Sequence, residues 1–379
     1  MDNWLEYFKQ QTSQLLQQLE TLVRYESPTN DKAAVDVLGA YLHTQLEAMG
    51  AKITLYPRDV VGDIRLAKWG DDTAAPILIL CHIDTVWPVG TINTMPIKIT
   101  EHQFFGPGAL DMKAGIVITL AAIQALQEYN ALSRPIWLLL TTDEEVSSHY
   151  SRAIIEELAQ KAALVLVMEP AGEYEALKTM RKGHARYTIR TEGLAAHAGI
   201  APESGINAIV ESAHQILYLN NLNDLPKGIS VSVTQIQAGV ASNVIPPLSE
   251  LVADVRFASM EHFNEIDRAI HDIIPTVLGA KISIEGGLLR PPMERDQRIL
   301  NAFKQAKSIA EQMGMNIGET FTGGISDGNL TAPFAPTLDG LGPEGAGQHA
   351  AHEHVLIRSI PRRAALLTAI LQNWQDATP

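Results

Sequence analysis

Three short stretches of this sequence are almost entirely apolar, and they limit the possible folds more than any other feature. They are PILILC, RPIWLLLTT and ALVLVMEP, which begin at Pro76, Arg134 and Ala163. Strands buried on both faces have this composition, and helical patterns near 112–129 and 150–161 separate them. Strands that alternate with helices indicate a parallel sheet between two helical layers. We therefore expect a three-layer α/β domain with a mostly parallel sheet.

The pattern changes near residue 178 and changes back near residue 288. Between these points the sequence predicts a strand, a helix, two strands, a helix and a strand, at HARYTIRTE, 205–220, GISVSVTQIQ, ELVADVRFA, 261–274 and KISIEG. This βαββαβ order is that of a ferredoxin-like sandwich. Helical patterns follow near 297–313 and from about 359, so we expect the chain to return to the α/β domain there. We predict one domain of residues 1–177 and 289–379 and a second, inserted domain of residues 178–288.

The composition argues against several kinds of partner. The formal net charge is −14, whereas nucleic acid and anionic membrane surfaces are bound by basic faces. The longest apolar runs, such as AGIVITLAAI from Ala114, reach about half of the ~18 residues that a membrane span needs. The N-terminal MDNWLEYFKQQTSQLLQQLE lacks the basic and then apolar pattern of a secretory signal. We expect a cytoplasmic protein that binds neither nucleic acid nor membrane.

Histidines and carboxylates follow the predicted strands. They are His82 and Asp84 after the first strand, Asp111 in a glycine-rich turn before a helix, the run Asp143–Glu145 after the second strand, and Glu169 after the third. Ligand sites of α/β sheets lie outside the carboxyl ends of the strands, so we expect these groups to face one crevice. Cys81 is the only cysteine, which excludes a thiolate-rich zinc site. A metal here must therefore be held by His, Asp and Glu, and two metals would share a carboxylate.

Each of these groups also has an ordinary structural interpretation. His82 and Asp84 suit a turn at a strand end, and Asp111 suits a helix cap. The acidic run suits a solvated helix start, and Glu169 suits a loop. These interpretations stay open for each residue taken alone. They do not explain why every group follows an apolar strand, whereas a metal centre does.

Nine motifs resemble those of the di-zinc exopeptidase and deacylase family and follow one another along the chain in the order found in that family. They are HIDTV, GPGALDMKAG, TTDEEVSS, MEP, GLAAHAGIAPESGINAI, ASNVIP, ADVRF, GGISDGN and LGPEGAGQH. The family includes glutamate carboxypeptidase, acetylornithine deacetylase, succinyl-diaminopimelate desuccinylase and aminoacylase. The resemblance extends from about residue 75 to the final helix. RPIWLLLTTDEE and SIPRR are most similar to the glutamate carboxypeptidase (carboxypeptidase G) branch.

The resemblance implies two zinc ions per subunit, for which Co²⁺ can substitute. It implies that His82 and Glu169 bind one ion, that Glu145 and His349 bind the other, and that Asp111 bridges both.

The resemblance also implies two supporting groups in the same domain. Asp84 would hydrogen-bond His82 and so select its tautomer. Glu144 would be the general base that activates a water.

Further roles follow for the inserted domain, which the resemblance describes as a lid that also forms a dimer. His197 would stabilise the oxyanion across the dimer interface, and Asn243 would join it; a capped turn is the alternative for His197. Arg256 is the best candidate for a free carboxylate of the substrate, because a guanidinium binds carboxylate through two donors. A surface arginine with a buried stem is its alternative. Arg290 is a second candidate.

The loop TGGISDGN is a candidate lining of the substrate site. Its residues Gly324 and Ser326 are the predicted contacts, since glycine permits close approach of the backbone.

These observations predict a homodimeric zinc carboxypeptidase. It would release glutamate or a similar C-terminal amino acid from a peptide or an N-acyl conjugate that carries a free carboxylate. One alternative is an N-acyl-amino-acid deacylase of the acetylornithine deacetylase or aminoacylase type. Another is a non-catalytic metal or peptide binder, which is disfavoured because a binder has no need of Glu144.

Overall fold

The computed structural model describes residues 3–71 and 74–376, which form two compact units. The first unit contains the described residues up to Met180, Arg295–Phe321, and the described residues from Ser326 onward. The second contains Arg181–Glu294 and Thr322–Ile325. The second unit thus begins and ends a few residues later than the predicted inserted domain. It also includes part of the TGGISDGN loop, which the prediction placed in the first domain.

The helices are numbered in chain order. They are α1 Trp4–Gln10, α2 Thr12–Arg24, α3 Lys32–Ala48, α4 Ala114–Glu128, α5 Arg152–Ala159, α6 Ala208–Asn221, α7 Met260–His271, α8 Gln297–Gln312, α9 Gly328–Thr331 and α10 Ser359–Asn373. Several begin at a side-chain cap, such as Asp31 before α3 and Asp296 before α8, each of which accepts a main-chain N–H of the first turn.

The strands are numbered in the same way. They are β1 Lys52–Tyr56, β2 Ile64–Trp69, β3 Ile77–His82, β4 Lys98–Ile99, β5 Gln103–Phe105, β6 Ile136–Thr141, β7 Leu164–Val167, β8 Leu177–Arg181, β9 Gly183–Glu192, β10 Ser230–Ala238, β11 Leu248–Phe257, β12 Lys281–Arg290, β13 Glu319–Thr322, β14 Thr337–Leu338, β15 Gly345–Ala346 and β16 His354–Leu356.

The first unit has the α/β fold that the sequence predicts, but its main sheet is mixed. The strand order is β1-β2-β6-β3-β7-β14. The strands β6, β3, β7 and β14 run parallel, whereas β1 pairs antiparallel with β2 and β2 pairs antiparallel with β6. Every residue of β3, β6 and β7 is buried, as expected for strands covered on both faces.

The helix α4 belongs to the largest hydrophobic core among the described residues. Together with the preceding turn it makes the segment Ala109–Glu128, which is long and apolar enough to cross a membrane by length and composition. However, 83% of its most apolar window is buried inside the protein. It packs against α10 and α2, so its apolar character is accounted for by the core.

The second unit consists of one antiparallel sheet with two helices. Its strand order is β10-β11-β9-β12, and the elements follow in the chain as β9, α6, β10, β11, α7 and β12. The residues of β9 alternate between buried and solvent-facing positions, as in a sheet with one covered face. Apolar residues of α6 and α7 lie in the same core cluster as those of the sheet.

Candidate metal centre

Three neighbouring parallel strands bring the predicted ligands to one edge of the sheet. β3 ends at His82, which lies opposite Thr141 at the end of β6. Glu169 follows the end of β7, the other neighbour of β3. The single turn Glu144–Val146 comes after β6 and carries the two adjacent glutamates. The carboxyl ends of these strands therefore meet where the sequence predicted a crevice.

Two loops supply the remaining groups. Asp111 lies in the π-helical turn Ala109–Lys113 directly before α4, and its own backbone is non-helical (φ −110°, ψ 86°). His349 has a left-handed backbone (φ 58°) within the loop between β15 and β16. Non-glycine residues adopt this conformation only where the surroundings impose it, which is common in functional sites.

The two carboxylate oxygens of Asp111 face the two histidines. Asp111 Oδ1 lies 3.2 Å from His82 Nε2, and Asp111 Oδ2 lies 3.1 Å from His349 Nε2. The remaining carboxylates flank this row. Glu169 Oε1 lies 3.6 Å from His82 Nε2, and Glu145 Oε2 lies 3.2 Å from His349 Nε2. The structure thus brings all five predicted metal ligands into one cluster with Asp111 at its centre.

In the cluster, the carboxylates raise the pKa values of the histidines, and the histidines lower the pKa of Asp111. Burial lowers the pKa of the His82 imidazole, but the surrounding carboxylates, Asp111 first, raise it well above its ordinary value. Hydrogen bonds to Asp111 and Glu145 raise the pKa of His349 to about 10. Burial raises the pKa of Asp111, but the two histidines lower this pKa by more than burial raises it, so the carboxylate stays ionised. Bound metal ions would replace these protons, because a metal ligand must be deprotonated.

The donor atoms fit a metal such as Zn²⁺. Nitrogen and oxygen atoms of His82, Asp111 and Glu145 lie within 4.8 Å of one another, and so do those of His82, Glu144 and Glu169. Glu145 Oε1 is buried and has no hydrogen-bond partner. An unpaired buried carboxylate oxygen is expensive, and a cation in the cluster would satisfy it.

Asp84 hydrogen-bonds His82, as the resemblance implies, but does so through its main-chain carbonyl. His82 Nδ1 donates to the main-chain carbonyl of Asp84 at 2.9 Å, while the Asp84 carboxylate lies 3.5 Å from the same nitrogen. The carbonyl therefore selects the tautomer whose Nε2 lone pair faces the other ligands. The Asp84 carboxylate instead accepts the Thr29 hydroxyl at 2.8 Å and the main-chain N–H groups of Glu144 and Glu145 at 3.4 and 3.3 Å.

His197 and Asn243 lie side by side in the second unit. The main-chain N–H of Ala198 donates to the Asn243 carbonyl at 2.9 Å, and both side chains are exposed. His197 Nδ1 accepts the N–H of Gly199 at 3.1 Å. The neutral imidazole therefore carries its proton on Nε2, which is the state that an oxyanion requires of a donor.

The predicted carboxylate-binding arginine has an internal partner. Arg256 donates from Nε to Asp254 Oδ1 at 2.8 Å and from the terminal nitrogen Nη2 to Oδ2 at 3.1 Å. His184 Nε2 lies 2.8 Å from the same carboxylate. The second candidate, Arg290, is fully buried. A fully buried guanidinium does not present its donors to a substrate, so the structure does not support this role for Arg290.

The TGGISDGN loop divides into an exposed part and a buried part. Gly324 is exposed, and its carbonyl accepts Arg181 Nη1 at 3.1 Å. Ser326 is fully buried, and its hydroxyl donates to Asp339 at 2.5 Å. The prediction that Ser326 contacts a substrate is therefore not supported, because its hydroxyl supports the loop from inside.

Sequence reasoning missed Gln348 and the contacts of Glu353. Gln348 Nε2 donates to Asp111 Oδ2 at 3.2 Å. Glu353 is fully buried and accepts four N–H groups, one of which belongs to Asp111. Both follow the GPEGAG turn, and Glu353 lies in a His-x-x-x-Glu spacing. That spacing was the available signal for Glu353, whereas nothing in the sequence singled out Gln348.

Three parallel strands and two loops together present two histidines and several carboxylates at one edge of the sheet, which is an arrangement suited to a metal-dependent hydrolase. The sequence pattern of the family described as Peptidase family M20/M25/M40 matches residues 78–373. The chain belongs to this family, which confirms the resemblance and makes it a hydrolase of the metallopeptidase type.

Two relatives show the range of the family. Carboxypeptidase G2 of Pseudomonas sp. (strain RS-16) is 32% identical over 372 residues, covering 95% of this chain and 89% of the relative. Succinyl-diaminopimelate desuccinylase of Aromatoleum aromaticum is 27% identical over 312 residues, covering 77% of this chain and 80% of the relative.

Solved structures share the fold. Aminopeptidase PepT from Bacillus cereus superposes with a TM-score of 0.80 at 21% identity, covering 95% of this chain and 98% of that chain. The YXEP protein of Bacillus subtilis, described as a dinuclear metal binding peptidase from the M20 family, has a TM-score of 0.70 at 16% identity, covering 96% and 98%. At these identities the likeness establishes the fold alone.

Proposed function

We propose that the protein is a two-zinc carboxypeptidase that releases glutamate or a similar C-terminal amino acid from a peptide or an N-acyl conjugate. The observation that carries the proposal is the position of Asp111, whose two oxygens each face a histidine. A carboxylate in this position can bridge two metal ions. His82 and Glu169 would hold one ion, and His349 and Glu145 the other.

Charge and chemistry favour two divalent ions. The cluster contains four carboxylates, those of Asp111, Glu144, Glu145 and Glu169, and two divalent ions would balance their formal charge. Nitrogen and carboxylate ligands suit Zn²⁺, and Co²⁺ takes the same ligands. The fold neighbour described as a dinuclear metal binding peptidase is consistent with this number.

The preference for a C-terminal glutamate rests on the resemblance to the glutamate carboxypeptidase branch, and the relative named carboxypeptidase G2, whose alignment covers most of both chains, supports a carboxypeptidase. The desuccinylase relatives favour a second candidate, hydrolysis of an N-acyl amino acid by the same centre. Both reactions cleave an amide next to a free carboxylate. They differ in which side of the amide is recognised.

The bound ions would supply Lewis acidity, which acidifies water and polarises the scissile carbonyl. Glu144 supplies the proton transfer. Ligand atoms of Glu144, His82 and Glu169 lie within 4.8 Å of one another. The main-chain N–H of Glu144 donates to the Asp84 carboxylate. Glu144 takes a proton from the attacking water and passes it to the leaving amine nitrogen, so the amide C–N bond breaks without releasing an amide anion.

The second unit would act as the predicted lid and supply oxyanion contacts. The Nε2–H of His197 and the amide of Asn243 are exposed polar donors on adjacent segments. We propose that they stabilise the negative charge that develops on the carbonyl oxygen. Arg256 remains the proposed contact of the substrate carboxylate, which would replace Asp254 as the hydrogen-bond partner of this guanidinium.

A homodimer through the second unit is part of the proposal. The helix α6 exposes the apolar side chains of Ile209, Val210, Leu217 and Tyr218. The strand β10 forms an edge of its sheet, so one side of its backbone can pair with another strand. A second copy of the chain, related by a two-fold axis, would cover both features with an identical surface.

Chelation and a single substitution test the proposed reaction. Exhaustive chelation should abolish release of glutamate from an N-acyl glutamate, and added Zn²⁺ or Co²⁺ should restore it. Glu144→Gln should keep the metal and the fold while losing at least ~10² in kcat, the usual contribution of a general base. Elemental analysis and circular dichroism serve as controls.

Two results would contradict the proposal. Turnover that persists in a protein shown to be free of metal would exclude the metal centre as the catalyst. Normal kcat in Glu144→Gln would place the base elsewhere. A panel of N-acylated glutamates, aspartates and ornithine then separates the carboxypeptidase from the deacylase.

A further inference from the structure

The side chain of Glu353 accepts four hydrogen bonds close to the metal centre. Its Oε1 accepts the main-chain N–H groups of Leu110 at 2.9 Å and Asp111 at 3.1 Å. Its Oε2 accepts the N–H of Gly108 at 2.9 Å and the indole N–H of Trp87 at 2.9 Å. The residue is fully buried, so water does not compete for these bonds.

These four bonds join three segments that carry predicted metal ligands. Gly108, Leu110 and Asp111 belong to the turn that carries the bridging carboxylate. Trp87 lies in the loop that follows His82 at the end of β3. Glu353 belongs to the same loop as His349, and its N–H closes that loop by donating to the Ala350 carbonyl at 2.9 Å.

The turn that carries Asp111 needs such an anchor. Gly108 is left-handed (φ 68°) and Asp111 is non-helical inside the turn, so regular helical hydrogen bonds do not fix their N–H groups. A buried N–H without a partner is costly, and a carboxylate can accept several N–H groups at once. Glu353 therefore accepts main-chain N–H groups that have no helical hydrogen-bond partner in this irregular turn.

We propose that Glu353 is a positioning residue that sets the place of Asp111 relative to His82 and His349 and thereby the affinity for both metal ions. The inference rests on the metal centre of the proposed function. Glu353 itself touches none of the donor atoms that would hold the ions. It acts through the backbone of Asp111, through the loop of His349 and through Trp87.

The charge of Glu353 has a buried counterpart in Lys113. Lys113 lies in the same turn as Asp111, and its ammonium group donates to the Tyr25 carbonyl at 2.8 Å. The turn thus carries a charge opposite in sign to the residue that anchors it.

The first test replaces Glu353 by glutamine, which has the same shape but only one acceptor oxygen. The amide group of Glu353→Gln would point a donor at N–H groups that are themselves donors. We expect a folded protein whose dissociation constants for Zn²⁺, measured by competition with a chromophoric chelator, rise about 10- to 100-fold, the usual effect of removing support behind a ligand. Excess Zn²⁺ should restore kcat with the substrate.

A matched control comes from the second unit. Glu211 is also fully buried, and its carboxylate accepts two main-chain N–H groups, those of Thr276 at 2.9 Å and Val277 at 2.6 Å. Glu211→Gln therefore makes the same chemical change in a buried carboxylate that accepts main-chain N–H groups, far from the ligand-bearing segments in the sequence. It should lower the free energy of unfolding while leaving the Zn²⁺ dissociation constants unchanged.

A readout without metal separates the inference from the reaction. In the metal-free protein, hydrogen exchange of a peptide covering residues 106–113 should speed up in Glu353→Gln and stay unchanged in Glu211→Gln. Trp87→Phe removes one of the four donors and serves as the milder variant if Glu353→Gln does not fold. It should weaken Zn²⁺ binding by a smaller factor of about 3 to 10.

The outcomes are distinguishable from those of the proposed function. A folded Glu353→Gln, or a Trp87→Phe in its place, with wild-type Zn²⁺ dissociation constants and wild-type exchange at 106–113 overturns the inference. It leaves the hydrolase untouched. A wild-type protein that binds two Zn²⁺ ions and cleaves no amide overturns the proposed function, while the role of Glu353 in metal binding stands on the affinities.

Discussion

At the residue scale, the arginine proposed for the substrate already binds a carboxylate of its own chain. Asp254 and Arg256 lie on the same face of β11, and His184 lies opposite on β9. Burial raises the pKa of Asp254, but hydrogen bonds from His184 and Arg256 lower it well below its ordinary value. Asp254 is therefore ionised at neutral pH and competes with a substrate carboxylate for Arg256.

This competition gives opposite predictions for two neighbouring residues. Asp254→Asn should lower the KM for an N-acyl glutamate, because Arg256 no longer has a charged internal partner. Arg256→Ala should raise that KM at least about tenfold, which corresponds to ~1.4 kcal/mol. Steady-state kinetics with the free acid and with its amide provide the measurement. Equal losses for acid and amide in Arg256→Ala would show that Arg256 supports the sheet instead.

The sequence predicts the identity of the clustered residues better than their contacts. His82 and Glu169 could be predicted because each is a metal-binding residue type that follows a recognisable strand. Asp111 could be predicted because it precedes a recognisable helix. Asp84 could also be named as the partner of His82, but the choice between its carbonyl and its carboxylate could not, since that choice depends on local backbone angles. The burial of Ser326 likewise depends on the fold of its loop.

At the element scale, the turn that carries Glu144 and Glu145 ends in two strained serines. Ser147 has φ 75° and Ser148 has φ 55°, both in the left-handed region. Hydrogen bonds hold Ser148 there: its hydroxyl donates to Asp327 at 2.5 Å, and its N–H donates to the Asp143 carbonyl at 2.7 Å. The turn is thus fixed from its far end, which keeps both glutamates at the centre.

The two serines should respond differently to glycine. Ser147→Gly removes a left-handed strain of roughly 1–2 kcal/mol and adds the entropy of glycine, so we expect a net gain of about 0.5–1 kcal/mol in the free energy of unfolding. Ser148→Gly also relieves strain but loses a buried hydrogen bond to a carboxylate, worth about 1.5–3 kcal/mol, and should destabilise. Chemical denaturation measures both; a destabilised Ser147→Gly would contradict the argument.

Among the elements, the fully buried strands and the long helices could be predicted, and the short strands could not. β7 is apolar throughout, and β3 and β6 are apolar up to their last residue, so their pattern predicts buried strands. β4, β14 and β15 have two residues each, which is too short for any periodicity. The antiparallel pair β1 and β2 was missed, although the sheet is mostly parallel as predicted. The N-terminal segment forms two helices, α1 and α2, divided at Gln11.

At the scale of the whole molecule, the chain consists of two units that divide the proposed chemistry. The predicted metal ligands and Glu144 belong to the first unit, whereas His197, Asn243 and Arg256 belong to the second. The sequence predicts both units because each has its own order of strands and helices. It does not specify which subunit of a dimer receives His197, since chain order carries no information about contacts between copies.

A mixed dimer tests whether the site is shared between subunits. One chain carries His197→Ala and the other carries Glu144→Gln, and each variant alone should be inactive. If His197 serves the partner, one site of the mixed dimer combines an intact Glu144 with an intact His197 from the other chain, while its second site lacks both. Random pairing makes about half of the dimers mixed, each with one working site of two, so co-expression should recover roughly a quarter of wild-type activity.

If His197 serves its own subunit, every site in every dimer lacks one of the two groups, and co-expression recovers nothing. Separate affinity tags on the two chains isolate the mixed dimer, so that its activity can be compared with that of each parent. A tagged mixed dimer no more active than its parents would refute the shared site. Because the predicted metal ligands all belong to the first unit, that result would leave their proposed role intact and would confine His197 to its own chain.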